Sequence, residues 1–356
     1  MRFILLIDMD YFFVACEELK DPSLKDKPAA VTTGSDREGS KGVIMTCNYP
    51  ARKFGVRSGI SANQALGMCK DLVLLKEDFK FYEEKSAQVA SIIRKYSNLA
   101  EQVSIDESFV DISDKVSTYE QGVKYAEAIK RDIRSLSGLP CSIGIGPNKL
   151  IAKMACDAAK PDGIRLVRQE EAKSFLSEMP VGNLYGVGRK TVDKLAGLGI
   201  ATVKDLTSAN KMKLMDKFGV FGLEMHNYAN GIDNDEVVSE YETKSISRES
   251  TLKKDTGDDK DILPVLRALS REVFEEAKRQ SYSFKVVTLK MRYPDFSEHL
   301  KSKTLKMSGS ETDISRAAEE LFAKYHSKEA KLRKIGVRIS CLVKSKSQRS
   351  MSDFLV

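Results

Sequence analysis

An apolar run that stops on carboxylates constrains this chain more than any other feature. Phe3-Ile4-Leu5-Leu6-Ile7 leads straight into Asp8-Met9-Asp10. A short continuous apolar run of this kind predicts a buried strand, so the acids must lie where the strand leaves the core. A second such place surrounds Asp106-Glu107, where Val103, Ile105, Phe109, Val110 and Ile112 predict two short strands that meet at the acids. Ser142-Ile143-Gly144-Ile145-Gly146 predicts another strand, closed by Gly146-Pro147. Between these, Val123, Ala126, Ile129, Ile133 and Leu136 recur at helical spacing within 120–137. Strands interleaved with helices predict an α+β core with acidic residues at its strand ends.

Several function classes are disfavoured at this level. No apolar run approaches the roughly 18 residues that span a bilayer. The N-terminal run is too short for a signal peptide's apolar region, so a cytoplasmic protein with no membrane association is expected. The six cysteines are scattered without a CxxC pair, and none of the three histidines lies near another candidate ligand. A zinc site, a disulfide framework and histidine catalysis are therefore not expected.

Length and charge point to a modular chain. A chain of 356 residues predicts two or three domains. The net charge of +7 is unevenly placed: residues 1–240 hold 33 basic and 34 acidic side chains, whereas 241–356 hold 25 and 17. A basic module that grips a polyanion and a merely solvated basic surface both satisfy this split. The texture is helical and glycine-punctuated from Val181 to Gly231, and residues 234–243 look like a linker. Beyond it the pattern predicts strand 244–252, helix 261–280, strands 283–293 and 303–308, helix 311–326 and strand 332–344. This is a βαββαβ order, a small sheet covered by two helices. Its coincidence with the basic third favours nucleic acid as the partner.

The residue types then suggest a chemistry. Mg2+ prefers hard oxygen ligands, and two ions about 3.5–4 Å apart can activate an attacking oxygen and stabilise a leaving one. Asp8 and Asp106-Glu107, from separate strands, can build such a site, although either cluster alone could simply solvate a turn. Asp8 and Asp10 are two apart and would share a strand face. Tyr49 and Arg52 are three apart and can share a helical face, with Thr46 just before them. A guanidinium beside hydroxyl donors suits a triphosphate. Lys160, ahead of Pro161-Asp162-Gly163, can reach a γ-phosphate as a point charge.

Taken together, Asp8-Met9-Asp10-Tyr11-Phe12-Phe13, Asn48-Tyr49-Pro50-Ala51-Arg52-Lys53-Phe54-Gly55-Val56-Arg57-Ser58, Ser104-Ile105-Asp106-Glu107-Ser108 and Lys160-Pro161-Asp162-Gly163 closely resemble the Y-family DNA polymerases of the DNA polymerase IV type. The resemblance covers nearly the whole chain. It implies a right-hand fold with a palm at 1–10 and 78–167, small fingers at 11–77, and a thumb with a helix-hairpin-helix at 168–233. A linker at 234–243, a βαββαβ little finger at 244–343 and a tail at 344–356 would follow. It also implies low-fidelity, translesion DNA synthesis by a monomer on primer-template DNA and dNTPs. No room is left among these modules for a proofreading exonuclease.

The resemblance further implies residue roles. Asp8 and Asp106 would ligate two Mg2+ ions, Glu107 the catalytic ion, and Met9 would lend its carbonyl; Asp10 would be a supporting residue. Thr46, Tyr49, Arg52 and Lys160 would hold the nucleotide, with the backbone of Tyr11, Phe12 and Phe13. Phe13 would be the steric gate, its ring excluding a 2′-hydroxyl. Leu184-Tyr185-Gly186-Val187-Gly188-Arg189-Lys190-Thr191 resembles a hairpin whose glycines bring backbone N–H groups to a phosphate, making Gly186, Gly188 and Lys190 candidate DNA contacts. In the basic module, Arg248, Arg333 and Arg338 are the candidates. Gln348, Met351, Phe354 and Leu355 resemble a sliding-clamp peptide. Two other readings share the acids. A nucleotide cyclase would need neither the hairpin nor the basic sheet, and a non-catalytic DNA-binding protein would not need Asp8, Asp106 and Glu107 intact.

Overall fold

The apolar N-terminal run forms the strand Ile4–Met9, buried throughout and central in a five-stranded sheet. The strand order is Ala100–Gln102, Glu107–Asp111, Ile4–Met9, Cys141–Gly146, Ile164–Leu166. Ile4–Met9 is antiparallel to both of its neighbours. Alternation along a strand sends successive side chains to opposite faces. Phe3, Leu5, Ile7 and Met9 join one core with Val89, Ile93, Ile129 and Ile133 from the helices Phe79–Arg94 and Tyr119–Ser137. Ile4 and Leu6 join Phe109, Ala152, Cys156 and Val237 in another. Asp8 continues the Ile4–Leu6 row, beside the helix Lys149–Ala159. That helix lies close because Gly144 has no side chain: a Cβ there would fall 2.0 Å from the Ala152 carbonyl oxygen.

The computed structural model describes residues 2–34, 37, 39–240, 242–327 and 329–344. They fall into two compact units, 2–34 with 41–240, and 37, 39–40, 242–327 and 329–344. Beside the five-stranded sheet, the first unit contains a three-stranded one, Ile44–Cys47, Ala29–Thr32 and Val73–Lys76. It also contains the helices Ala172–Ser177, Arg189–Ala196, Val203–Ser208, Lys211–Phe218 and Val220–Ala229, packed around Leu176, Leu195, Leu206, Leu214 and Met225.

Some sequence expectations need correction. Val103 and Ile105 lie not in a strand but in the turn between Ala100–Gln102 and Glu107–Asp111, so Val103 is exposed. The buried stripe of Tyr119–Ser137 runs through Gly122, Ala126, Ile129, Ile133 and Ser137; Leu136 falls one residue off it and is exposed. Among the described residues, 234–243 carry no helix or strand, yet Val237 is buried and the Val238 N–H donates to Glu101 at 3.0 Å. A single anchoring side chain leaves no periodicity to detect.

In the second unit, the antiparallel strands Glu298–Ser308, Tyr282–Arg292, Leu332–Ser340 and Ser245–Thr256 lie in that order. The helices Asp259–Arg279 and Glu311–Tyr325 bury one face against Ile246, Leu289, Ile335, Val337 and Ile339. Glu298–Ser308 begins five residues before the predicted 303, because this edge strand is polar and lacks the alternation that marks a half-buried one. A short strand, Val343–Lys344, pairs with Tyr282 and Ser283.

Candidate functional site

The sheet registers Asp8 opposite Glu107 on one side and opposite Ser142 on the other. Directly opposed residues of an antiparallel pair share a face, so the two carboxylates stand side by side. The Met9 N–H donates to the Asp106 carbonyl at 2.9 Å, which brings Asp106 to the same strand end. Two ammonium groups sit among these acids. Lys160 Nζ donates to Asp8 Oδ2 at 2.6 Å. Lys153 Nζ reaches Asp8 Oδ2 at 3.4 Å and Asp157 Oδ1 at 3.3 Å, and also donates to Glu107 Oε1.

Burial, with a hydrogen bond that protonated Asp8 donates to Glu107, pushes the Asp8 carboxyl up to about 6 against the pull of Lys160 and Lys153. Burial, then the charge of Asp8, also raises Asp106, while the Ser104 hydroxyl at 2.6 Å works the other way. For Lys153, burial opposes the ammonium, but the hydrogen bond and charge of Glu107 outweigh it and raise its pKa. Among the described residues no three His, Cys, Asp or Glu side chains are grouped so as to hold one ion, and Lys153 contacts both Asp8 and Glu107. The donor set nevertheless fits a hard divalent cation: the carboxylate oxygens of buried Asp8 and half-buried Asp106 and Glu107 gather at strand ends, and positive charge relieves their mutual repulsion. Sequence reasoning missed Lys153. Its one signal was the spacing of Lys153, Asp157 and Lys160 along a single helix face.

Asp10 behaves differently. The strand ends at Met9, and Asp10, 1% exposed, accepts from the Ser142 hydroxyl at 3.0 and 3.1 Å and from the Asp162 N–H at 2.8 Å. Its oxygens are engaged by the protein.

Beside the acids lies a group of polar and aromatic residues. Thr46 is in the strand Ile44–Cys47, and Tyr49 and Arg52 bound the short helix Tyr49–Arg52. The Arg52 guanidinium lies 4.7 Å from the centre of the Tyr49 ring, and its Nε donates to the Cys47 carbonyl at 3.1 Å. Among the described residues the buried Tyr49 hydroxyl has no hydrogen-bond partner, a donor left for a ligand. Burial and then Asp10 push this phenol up while Arg52 and Lys160 oppose, which puts all four in one neighbourhood. Tyr11 precedes the helix Phe12–Lys20 in a left-handed conformation, its ring edge-on to Tyr49 at 5.5 Å. Phe12 is buried in the core, whereas Phe13 is half-buried against Tyr82, ring centres 4.9 Å apart.

Candidate nucleic-acid contacts fall into two settings. Gly186 has φ +81°, and Gly188 caps the helix Arg189–Ala196 without a side-chain cap; Lys190 is exposed in its first turn. Gly219, φ +64°, joins Lys211–Phe218 to Val220–Ala229. On the basic sheet, Arg338 lies opposite Thr288 and Ser247, on the face away from the helices. Arg248 lies opposite Val337 on the helix-covered face and pairs with Glu276 at 3.6 Å. Arg333 stacks on Phe296 at 4.7 Å. Gln348, Met351, Phe354 and Leu355 lie outside the described residues.

The fold is that of a right-hand polymerase with an α+β palm, small fingers, a helical thumb and a βαββαβ little finger. Three family models match the chain: the impB/mucB/samB family over residues 7–157, its C-terminal domain over 243–352, and the DNA polymerase-iota thumb domain over 182–233. DNA polymerase IV of Methanoculleus marisnigri is 39% identical over 344 residues, covering 96% of this chain and 94% of the relative. That of Lactococcus lactis subsp. cremoris is 37% identical over 341 residues, covering 95% and 94%. Among solved structures, a Y-family DNA polymerase chimera containing Dbh superposes with a TM-score of 0.87 at 28% identity, covering 96% of this chain and all of the other. An insertion ternary complex of Dbh DNA polymerase gives 0.70 at 28% identity, with the same coverage. The chain belongs to the impB/mucB/samB family, the Y-family DNA polymerases, and is of the DNA polymerase IV type. Among the described residues no helix is long and apolar enough to cross a membrane.

Proposed function

We propose that this chain is a DNA-directed DNA polymerase that extends a primer 3′-hydroxyl with dNTPs and serves low-fidelity translesion synthesis. The observation that carries the reading is the Asp8–Glu107 cross-strand pair with Asp106 at its end, set beside an unpartnered buried Tyr49 hydroxyl. Asp8, Asp106, Glu107 and the Met9 carbonyl would hold two Mg2+ ions, which when bound supply activation of the attacking oxygen and neutralisation of the leaving one. The chain's own contribution is to orient the reactants and hold charge where it develops. Tyr49, Arg52 and Lys160 grip the triphosphate with donors only, Thr46 adds a hydroxyl, and the backbone of Tyr11 to Phe13 lines the same side. Phe13, held by Tyr82, sits under the sugar and clashes with a 2′-hydroxyl. Lys153 and Lys160 stand on Asp8 as counter-charges, and with Asp8 engaged by a cation Lys160 would be free to turn to phosphate.

The domain assignment follows the family: palm 1–10 and 78–167, fingers 11–77, thumb 168–233, linker 234–243 and little finger 244–343. Gly186, Gly188 and Lys190 meet the DNA backbone through the thumb. Arg338, on the open face, is the best-placed arginine of the little finger. The chain acts as a monomer in the cytoplasm and reaches a sliding clamp through Gln348, Met351, Phe354 and Leu355. Primer extension with Mg2+ and dNTPs tests the core of the reading. Wild type extends and Asp106→Ala does not; extension that survives the substitution sinks the metal assignment. Deleting 348–356 abolishes clamp stimulation while basal extension persists.

A further inference from the structure

Lys160 ends the helix Lys149–Ala159 and enters a turn that the protein holds at several points. The Asp162 N–H donates to buried Asp10 at 2.8 Å, and Asp10 is itself held by the Ser142 hydroxyl at 3.0 Å. The Gly163 N–H donates to the same hydroxyl at 3.4 Å. Asp162 has φ +51°, a conformation Asp tolerates better than most residues. A Cβ on Gly163 would fall 2.1 Å from the Ala159 carbonyl oxygen, so the turn folds tightly back on the helix end. From the outer side, Lys130 of the helix Tyr119–Ser137 closes the arrangement. Its ammonium donates to Asp162 Oδ1 at 2.7 Å and to the Cys141 carbonyl at 2.8 Å.

The turn is thus clamped from two sides: Asp10 and the Ser142 hydroxyl hold the backbone N–H groups of Asp162 and Gly163, and Lys130 holds the Asp162 side chain. Among the described residues, neither the Lys130 ammonium nor the Ser142 hydroxyl is hydrogen-bonded to the carboxylates of Asp8, Asp106 or Glu107. We propose that Lys130 is a positioning residue for triphosphate recognition, pinning the 160–163 turn with Asp10 and Ser142 so that the Lys160 ammonium stays aimed into the site. This rests on the role proposed for Lys160. The half-exposed Lys130–Asp162 pair is worth little to overall stability. Its consequence is geometric, since a small displacement of a phosphate-binding group is felt directly in affinity.

The test is equilibrium binding of the correct dNTP, with Mg2+, to the full-length protein on a primer-template whose primer ends in a dideoxynucleotide, so that no chemistry follows. Lys130→Met raises the nucleotide dissociation constant roughly three- to fivefold and leaves primer-template affinity unchanged. Lys130→Arg restores it, and Ser142→Ala, a smaller change inside the sheet, shifts it in the same direction as Lys130→Met. In a Lys160→Met background, Lys130→Met adds nothing. Multiplying effects in the double variant, or an unchanged constant in Lys130→Met, overturn the proposal. If Lys160→Met alone leaves nucleotide affinity intact, the assignment of Lys160 to the triphosphate fails, and this inference with it.

Discussion

Asp8 and Glu249 are both carboxylates flanked by two lysines, and they live in opposite regimes. Asp8 ends an apolar row, is 4% exposed, and is forced up in pKa by its own burial. Glu249 stands on the open face of the C-terminal sheet, where Lys290 at 2.8 Å and Lys334 at 3.3 Å hold it below the usual carboxylate range in spite of partial burial. Lys290 also reaches Glu298 at 3.1 Å, and Arg292 pairs with Glu298, so the face carries an alternating charge network. In water such pairs exchange one good partner for another, whereas at the strand end the same charges have nowhere else to go. A buried arrangement under charge strain has reason to bind a cation. An exposed, self-satisfied one has reason only to tune affinity.

The comparison breaks most visibly at Lys153. Lys153→Met leaves Asp8 and Glu107 short of a counter-charge and destabilises the metal-free protein by about 3 kcal/mol. Added Mg2+ recovers much of that loss in a thermal unfolding experiment; a variant that melts like wild type without metal would show that the lysine balances nothing. Gly144→Ala comes next. Its methyl group meets the Ala152 carbonyl and Cys156 backbone, and the cost, read by denaturant unfolding, is about 1–3 kcal/mol, with loss of extension as the helix that carries Lys153 and leads into Lys160 moves away. Phe13→Ala keeps the fold and relaxes sugar selection by about tenfold or more, measured as the dNTP-to-rNTP ratio of kcat/KM. On the exposed side, Arg338→Ala reduces the salt slope of DNA binding by about 1, while Arg248→Ala, already paired with Glu276 on the other face, leaves it unchanged. Smallest of all, Glu249→Gln shifts stability by less than about 0.5 kcal/mol. Releasing Lys334 and leaving Lys290 to Glu298 alone, it steepens the same salt slope.

How far each region could be read from sequence follows the same divide. Ile4 to Asp8 announced both strand and acid, because a run of apolar residues can only end on a carboxylate where the core ends. The βαββαβ order of the basic module was legible from periodicity, although the polar edge strand was cut short at 303 instead of 298. Val103 and Leu136 fit strand and helix patterns yet are exposed, because hydrophobicity alone does not say which side of a turn or helix meets the core. The candidate metal and nucleotide residues stand in linked motifs that carry the family resemblance.

Sequence by itself determined the element types, the basic third and the identity of the acids, since these depend on local composition and short-range period. Only the tertiary structure decided that Asp8 faces Glu107 and not Asp10, that Lys153 stands among the acids, and that Arg338 and Arg248 occupy opposite faces of one sheet. Register and close approach decide such pairings. A one-residue slip in a strand turns every side chain to the other face, and no local pattern around Lys153 or Arg248 carries the register of the strand beside it.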